Sequence, residues 1–210
     1  NNKVVMKYEN SGIFSKKKSV QIDVAFPIVH GTNCEDGTIQ GLFEMAELPY
    51  VGCGTMASSL TMDKEKTKQI WENAGLPVVP YITIRKTDRE DQATFEAILK
   101  KSERDFEWPV FIKPCKAGSS VGANKASNKE EFIKTVDDAL LWDDKILVEA
   151  FINAREIECS VTGFRQISAY TPGEIVPTHE FYDYEAKYLD PEGAALKIPA
   201  DLDDEKIREV

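Results

Sequence analysis

The stretch Pro109-Val-Phe-Ile-Lys-Pro-Cys-Lys-Ala-Gly-Ser-Ser-Val-Gly122 decides how the rest of this chain is read. Val110, Phe111 and Ile112 form a short apolar run of the kind found in buried strands. Gly118, Ser119, Ser120 and Gly122 make a loop of small residues after it, and Lys113 stands between the two. A cation at a strand end beside such a loop suits a polyphosphate. Glycine permits close approach, backbone N–H groups and serine hydroxyls donate, and lysine supplies a point charge. Nucleotide binding is the functional reading. An ordinary strand and turn with a solvated lysine would explain the same residues without a ligand.

Composition sets the frame around this stretch. With 210 residues, 42% of them hydrophobic, the chain can bury a substantial core in one or two domains. No apolar run approaches the roughly 20 residues of a membrane span, and Asn1 to Tyr8 lacks a secretory pattern, so a soluble cytoplasmic protein is expected. The net charge of -10 and pI near 4.8 argue against a broad nucleic-acid surface. A small anion would need a local positive pocket, for which Lys64, Lys113, Lys116 and Lys187 are the candidates. Cys34, Cys53, Cys115 and Cys159 are scattered and read as free thiols, and with two histidines no zinc arrangement can be written.

Upstream, Lys3 to Tyr8 reads as a short strand, and Val20 to His30 as a strand entering a covered sheet with His30 at its C-terminal end. Ile39, Leu42, Phe43 and Ala46 then recur at helical spacing, with Glu35 and Asp36 complementing the helix dipole. Pro49 to Gly52 reads as a short strand before Gly52-Cys-Gly-Thr-Met-Ala57, formally a dinucleotide G-x-G-x-x-A. The acid that such a fingerprint needs, Glu72, falls in a helix read over Asp63 to Ala74 and stopped by Gly75. A dehydrogenase reading therefore predicts NAD binding on weak ground.

Val78 to Ile84 reads as the next strand. A capping box at Thr87 and Glu90 is expected to start the helix carrying Phe95, Ile98 and Leu99, and Asn128 with Glu131 to start one carrying Phe132, Val136, Ala139 and Leu140. Lys145 to Ile152, Glu156 to Gly163 and Ile167 to Val176 read as strands, the last interrupted at Pro172-Gly173. With no helix between them they suggest an antiparallel meander, beginning near residue 145. His179 to Pro199 is a polar-aromatic connection of lid length, expected to be mobile without nucleotide. A helix begins at Asp201.

His30-Gly-x-x-x-Glu-Asp-Gly37, Met62-Asp-Lys64, Phe111-Ile-Lys-Pro114 with Gly118-Ser-Ser-Val-Gly122, Ile146-Leu-Val-Glu149 and Phe181-Tyr-Asp-Tyr-Glu-Ala-Lys-Tyr188 occur in one order. In that order and spacing they resemble the D-alanine:D-alanine ligases of the ATP-grasp superfamily, and the related D-alanine:D-serine ligases of vancomycin resistance. The resemblance covers roughly residues 20 to 210. It implies a mixed α/β and α+β fold, with an N-terminal open α/β substrate domain in part (1–60), a central ATP-grasp subdomain (61–144), and the start of a C-terminal one that includes the lid (145–210).

The resemblance further implies an enzyme in which the carboxylate of one D-alanine attacks the γ-phosphate of ATP, and the amine of a second D-amino acid then displaces phosphate. By this likeness Lys64 and Lys113 hold the phosphates, and Ser120 with the backbone of Gly118, Val121 and Gly122 covers them. Glu149, Ala150, Phe151 and Ile152 match the adenine hinge, and Glu156 the acid on the ribose hydroxyls. Lys187 matches the lid lysine that reaches the γ-phosphate, Ser119 and Tyr188 two members of a hydrogen-bonded triad at the first D-alanine, and His30 a histidine beside the substrates. Without the likeness, His30 and Glu156 read as a satisfied strand-end histidine and a solvated strand carboxylate.

Tyr188 in its Tyr-Glu-Ala-Lys-Tyr setting points to a peptide-forming ligase. Between D-alanine and D-serine the sequence offers no physical discriminator, a hydroxyl being a small difference. The likeness also implies a Mg²⁺ or Mn²⁺ whose ligands, with an oxyanion-binding arginine, are expected beyond Val210, and a first-substrate ammonium site before Asn1. Catalysis would then not be expected of these residues alone. A homodimer is the family's common state, and a nucleotide-binding module without catalysis is the alternative of another class. Ala117 and Ala150 stand where some members carry glutamate and lysine, respectively, and Gly163 to Ile167 is a less familiar turn.

Overall fold

The computed structural model describes residues 4–8, 18–178 and 193–210. Its centre is a four-stranded antiparallel sheet of β3 (Tyr81–Arg85), β4 (Val110–Pro114), β5 (Asn124–Ala126) and β6 (Lys145–Ala150), in the order β3-β6-β4-β5. Alternation along each strand gives this sheet two faces of different chemistry. Ile82, Ile84, Val110, Ile112, Ile146 and Val148 point to one side, where α5 (Gln92–Asp105) and α6 (Lys129–Ala139) cover them with Phe95, Leu99, Phe132, Val136 and Ala139. Phe132 is fully buried, with the Phe95 ring at 6.2 Å and the Trp108 ring edge-on at 6.0 Å. Side chains this size stabilise by about 1.5–3 kcal/mol each when buried, so this face carries most of the fold's apolar stabilisation.

The helices begin where the sequence supplies caps. Asn128 accepts from the Glu131 N–H, and Glu131 reaches back to the Ser127 N–H, a reciprocal closure at the start of α6 as expected from the capping pair. The expectation for Thr87 and Glu90 needs correction. A short α4 (Lys86–Glu90) is capped by Asp88 accepting the Arg85 N–H, and α5 starts afresh at Asp91, whose carboxylate accepts from Ala93 N–H and Thr94 Oγ1. Thr87 lies inside α4 rather than capping a helix, and Asp91 satisfies the orphan Ala93 N–H at the start of α5, so the chain breaks there into two helices.

Upstream lie a hairpin of β1 (Val4–Tyr8) and β2 (Lys18–Ile22), α1 (Thr38–Met45), α2 (Thr55–Met62) and α3 (Lys64–Asn73). The strand expected over Val20 to His30 stops at Ile22. Beyond it only an isolated parallel bridge joins Ala25 to Tyr50, and Phe26 and Ile28 are 70% and 74% exposed. An alternating pattern specifies a strand only where a neighbour buries one of its faces. The Pro49 to Gly52 segment is likewise reduced to the bridge at Tyr50, so Gly52 to Ala57 enters α2 without the full preceding strand that a dinucleotide fingerprint requires. Gly75, with φ +78°, follows α3 as its stop.

β6 begins at Lys145 but pairs with β3 and β4 in the central sheet. The meander follows it. β7 (Glu156–Glu158), β10 (Gly173–Pro177) and β11 (Ala194–Lys197) make a second antiparallel sheet, and β8 (Val161–Gly163) with β9 (Ile167–Ala169) a small hairpin. Glu156 to Gly163 is therefore two strands rather than one. The break at Pro172-Gly173 separates β9 from β10 as expected. Arg155 grips Glu174 through two hydrogen bonds of 2.7 and 2.8 Å and the Asp201 carbonyl at 2.9 Å, tying this sheet to the last helix, Asp204–Glu209.

Candidate functional site

The other face of the central sheet is polar, and α3 lies against it. Asp63 caps α3 by accepting the Lys66 N–H, which places Lys64 in its first turn and Lys68 one turn later on the same side. Lys64 Nζ donates to the carbonyls of Cys115 (3.3 Å) and Ala117 (2.7 Å), fastening the helix to the loop after β4. Burial lowers the Lys64 pKa, and the nearby Lys113 charge adds to this while Glu149 and Asp143 oppose it. A lysine held in this condition gains when an anion arrives beside it.

Lys113, at the end of β4, forms an ion pair with Glu149 of β6 at 2.5 Å. Glu149 is 5% exposed, and Lys68 approaches its second oxygen at 2.9 Å as an ion pair without hydrogen-bond alignment. A second group of charges lies along the same face. Lys145 Nζ contacts both oxygens of Asp63 (2.9 and 2.7 Å) and Glu65 (2.7 Å). Burial acts to raise both carboxyls, but hydrogen bonds from Lys145, the Lys66 N–H to Asp63 and Thr83 to Glu65 outweigh it and hold them below the usual range.

Lys64, Phe111, Lys113, Ala117, Gly118, Ser119, Ser120, Val121 and Glu156 line a cleft of about 300 Å³. Its loop wall has an uncommon backbone. Ser119 and Ser120 have φ +53° and +59°, and the Val121 N–H closes on the Gly118 carbonyl at 3.1 Å, a turn whose two central residues are both left-handed. Strain of this kind clusters at ligand clamps. Gly122 seats the turn, because a Cβ there would meet Trp142 Cδ1 at 2.6 Å.

On the far side of Ser119, His30, Glu35, Thr61, Met62, Lys64, Ala117, Gly118 and Ser119 line a second cavity of about 360 Å³. His30 is largely exposed, with Nδ1 3.9 Å from Glu35, and Glu35 also accepts the Gly31 N–H. Asp36 has a local role: it accepts the N–H groups of Asn33 and Thr38, which outweigh burial and keep its carboxyl low. Lys64, Gly118 and Ser119 belong to both cavities, so the two open onto one wall.

Of the residues singled out in the sequence, the structure thus gathers Lys64, Lys113, Gly118, Ser119, Ser120, Val121 and Glu156 in one cleft and His30 in its neighbour. Gly122 underlies the loop. Glu149 is buried on the polar face with its two lysines, while Ala150 ends β6 against the apolar core and Phe151 and Ile152 continue past it, all three outside the cleft lining; the Phe151 ring receives Lys125 at 5.7 Å. Lys187, Tyr188 and residues 179–192 of the lid lie outside the described residues. Lys68 was not anticipated. Its signal was its spacing four residues after Lys64 in the helix read there. Among the described residues, no group of three or more His, Cys, Asp and Glu side chains could hold a metal ion, and no helix is long and apolar enough to cross a membrane. The four cysteines are free thiols.

Family models match both ends of the chain: "D-ala D-ala ligase N-terminus" over residues 2–53 and "D-ala D-ala ligase C-terminus" over residues 70–210. Among curated relatives, the D-alanine–D-alanine ligase of Treponema denticola is 58% identical over 193 residues, 92% of this chain and 52% of the relative. That of Acetivibrio thermocellus is 49% identical, over 92% of this chain and 51% of the relative. The chain thus spans about half the length of the curated relatives it matches.

Of solved structures, VanG D-Ala:D-Ser ligase from Enterococcus faecalis aligns at TM-score 0.76 and 35% identity, over 91% of this chain and 54% of that one. D-alanyl-alanine synthetase A from Vibrio cholerae aligns at TM-score 0.77 and 28% identity, over 91% and 57%. With its two-faced antiparallel sheet, its cleft of lysines under a small-residue loop and these matches at both ends, the chain has the ATP-grasp fold and belongs to the D-alanine:D-alanine ligase family.

Proposed function

We propose that this chain is the part of an ATP-dependent ligase that binds nucleotide and joins D-alanine to D-alanine for peptidoglycan precursors. The observation that carries this reading is the convergence of Lys64, Lys113 and the strained Gly118–Val121 turn on one cleft, with His30 opening next to it. ATP supplies the phosphoryl group that converts a carboxylate into an acyl phosphate. Lys64 and Lys113 neutralise phosphate oxygens, the turn donates N–H and hydroxyl groups over them, and Glu156 takes ribose hydroxyls. The 149–152 segment offers backbone groups to the purine. These are tasks of positioning and charge stabilisation rather than of a protein nucleophile.

Ser119 and His30 face the adjoining cavity, where the two amino acids would sit. There His30 assists proton movement as the incoming amine displaces phosphate. By the family likeness Lys187 and Tyr188, which lie outside the described residues, would serve the same site and help to keep water from the acyl phosphate. A Mg²⁺ or Mn²⁺ would accompany the nucleotide and neutralise its phosphates, on ligands other than the described residues. The division into 1–60, 61–144 and 145–210, a cytoplasmic location and a homodimer belong to the same reading.

A D-serine ligase is the second reading, favoured by the alignment with VanG. The test is phosphate release from ATP by the full-length protein with D-alanine alone, then with D-serine added, with dipeptides identified by mass. D-Ala-D-Ala as main product supports the first reading and a preference for the mixed product the second. ATP binding without phosphate release would leave a nucleotide-binding module that lacks catalysis.

A further inference from the structure

Lys68 has no part in the reading just given, yet it is among the most enclosed charges in the described chain, at 8% exposure. Its ammonium donates to the Val79 carbonyl at 2.9 Å, pairs with Glu149 at 2.9 Å and stands 5.2 Å from the centre of the Tyr81 ring. Glu149 in turn shares its other oxygen with Lys113, which is 24% exposed and lines the cleft. A carboxylate between two ammonium groups is held from both sides. Within this trio one positive charge is left over, and Lys113 is its member in the cleft.

We propose that Lys68 is a positioning residue of the polyphosphate cleft, which shares the Glu149 carboxylate so that Lys113 stays available to an anion. The inference rests on the proposed nucleotide reading. Without Lys68, Glu149 would pair with Lys113 alone, the trio would become neutral, and an arriving phosphate would compete with an undivided buried carboxylate for the same ammonium. The carrier is α3, which brings Lys64 to the loop and Lys68 to Glu149 from adjacent turns. A shift of that helix would alter both walls of the cleft together.

The discriminating probe is inorganic tripolyphosphate, which has no purine to contact the 149–152 segment. Its binding to the full-length protein is measured by calorimetry for the parent, Lys68→Met and the double variant Lys68→Met/Glu149→Gln. The single variant is expected to bind at least about tenfold more weakly, as suits loss of a charge-assisted contact. The double variant, whose trio again carries one positive charge, is expected to recover most of that loss.

Unchanged binding in Lys68→Met overturns the proposal. So does weakened binding that the second substitution fails to restore, because a lysine that only braces α3 cannot be rescued by removing a carboxylate. Should Lys68→Met not fold, Lys68→Gln keeps a donor for Val79 without the charge and carries the same expectations. A parent protein that binds neither tripolyphosphate nor ATP would instead overturn the nucleotide reading, an outcome distinct from the other two.

Discussion

An alanine at position 122 would put a Cβ 2.6 Å from Trp142 Cδ1 and 3.0 Å from Pro114 Cγ, on a residue whose φ is +69°. Two costs follow, and they separate. Placing a Cβ on a left-handed residue costs about 1 kcal/mol relative to glycine. The contact with Trp142 must also be relieved. Pro114 belongs to β4 and is fully buried, whereas Trp142 is 62% exposed and can swing outward, losing its packing beneath the turn. That adds about 1 kcal/mol, for a total near 2 kcal/mol. Because Gly122 seats the turn that lines the cleft, the loss should reach ligand binding as well as stability.

The assay is urea denaturation of the full-length protein together with ATP affinity, for Gly122→Ala alone and in a Trp142→Ala background. In that background the Trp142 contact is gone while the backbone cost and the tight approach to Pro114 remain, so the glycine substitution should lose up to about half its effect. ATP affinity should drop about tenfold in the single variant and less in the double. Equal costs in both backgrounds would refute the assigned Trp142 contact. An unchanged midpoint and affinity in Gly122→Ala would refute the seating of the turn altogether.

Lys145→Met removes the cation between Asp63 and Glu65 and should cost about 2–3 kcal/mol at neutral pH, somewhat below a fully buried pair because water reaches the site. The sign of its pH dependence follows from the lowered carboxyl pKa values. In the parent they contribute stability above the unfolded values near 3.8 and 4.5, which is lost as pH falls through the folded ones. The variant should thus show a flatter stability profile below about pH 4.5 in denaturation midpoints, and a profile parallel to the parent's would contradict the ion pairs. Among the thiols, Cys53 is exposed while Cys115 is fully buried and its pKa is pushed by that burial up to about 12. Iodoacetamide at pH 8 should label Cys53 and spare Cys115 in the native protein, as read by peptide mass, and labelling of Cys115 first would reverse the assignment.

What was legible in the sequence follows the range of the interactions concerned. β4 and β6 were readable because a strand covered on both faces writes its burial as an apolar run, and α6 because its cap is complete within four residues. Val20 to His30 carries the pattern of a strand, but the described residues supply no neighbour to bury Phe26 and Ile28. The Thr87 expectation failed on a competition between two nearby caps that only geometry resolves. At the site, Lys113 and its loop announced themselves because strand, cation and turn are adjacent. The burial of Glu149 between Lys68 and Lys113 depends on three separate elements meeting, and no local pattern records it.

The two faces of the central sheet also differ in how much change they can absorb. Under α5 and α6 the contacts are apolar and unspecific in direction, so exchanges of similar volume, such as isoleucine for valine or leucine, cost little and can be compensated by neighbours. Under α3 no such drift is open. Removing Glu149 leaves two ammonium groups facing one another, and removing Lys145 leaves two carboxylates, with little water to screen them, so a tolerated change would have to alter two positions in concert. The side of the sheet that carries the cleft is therefore the side on which single substitutions meet the steepest resistance, before any ligand is considered.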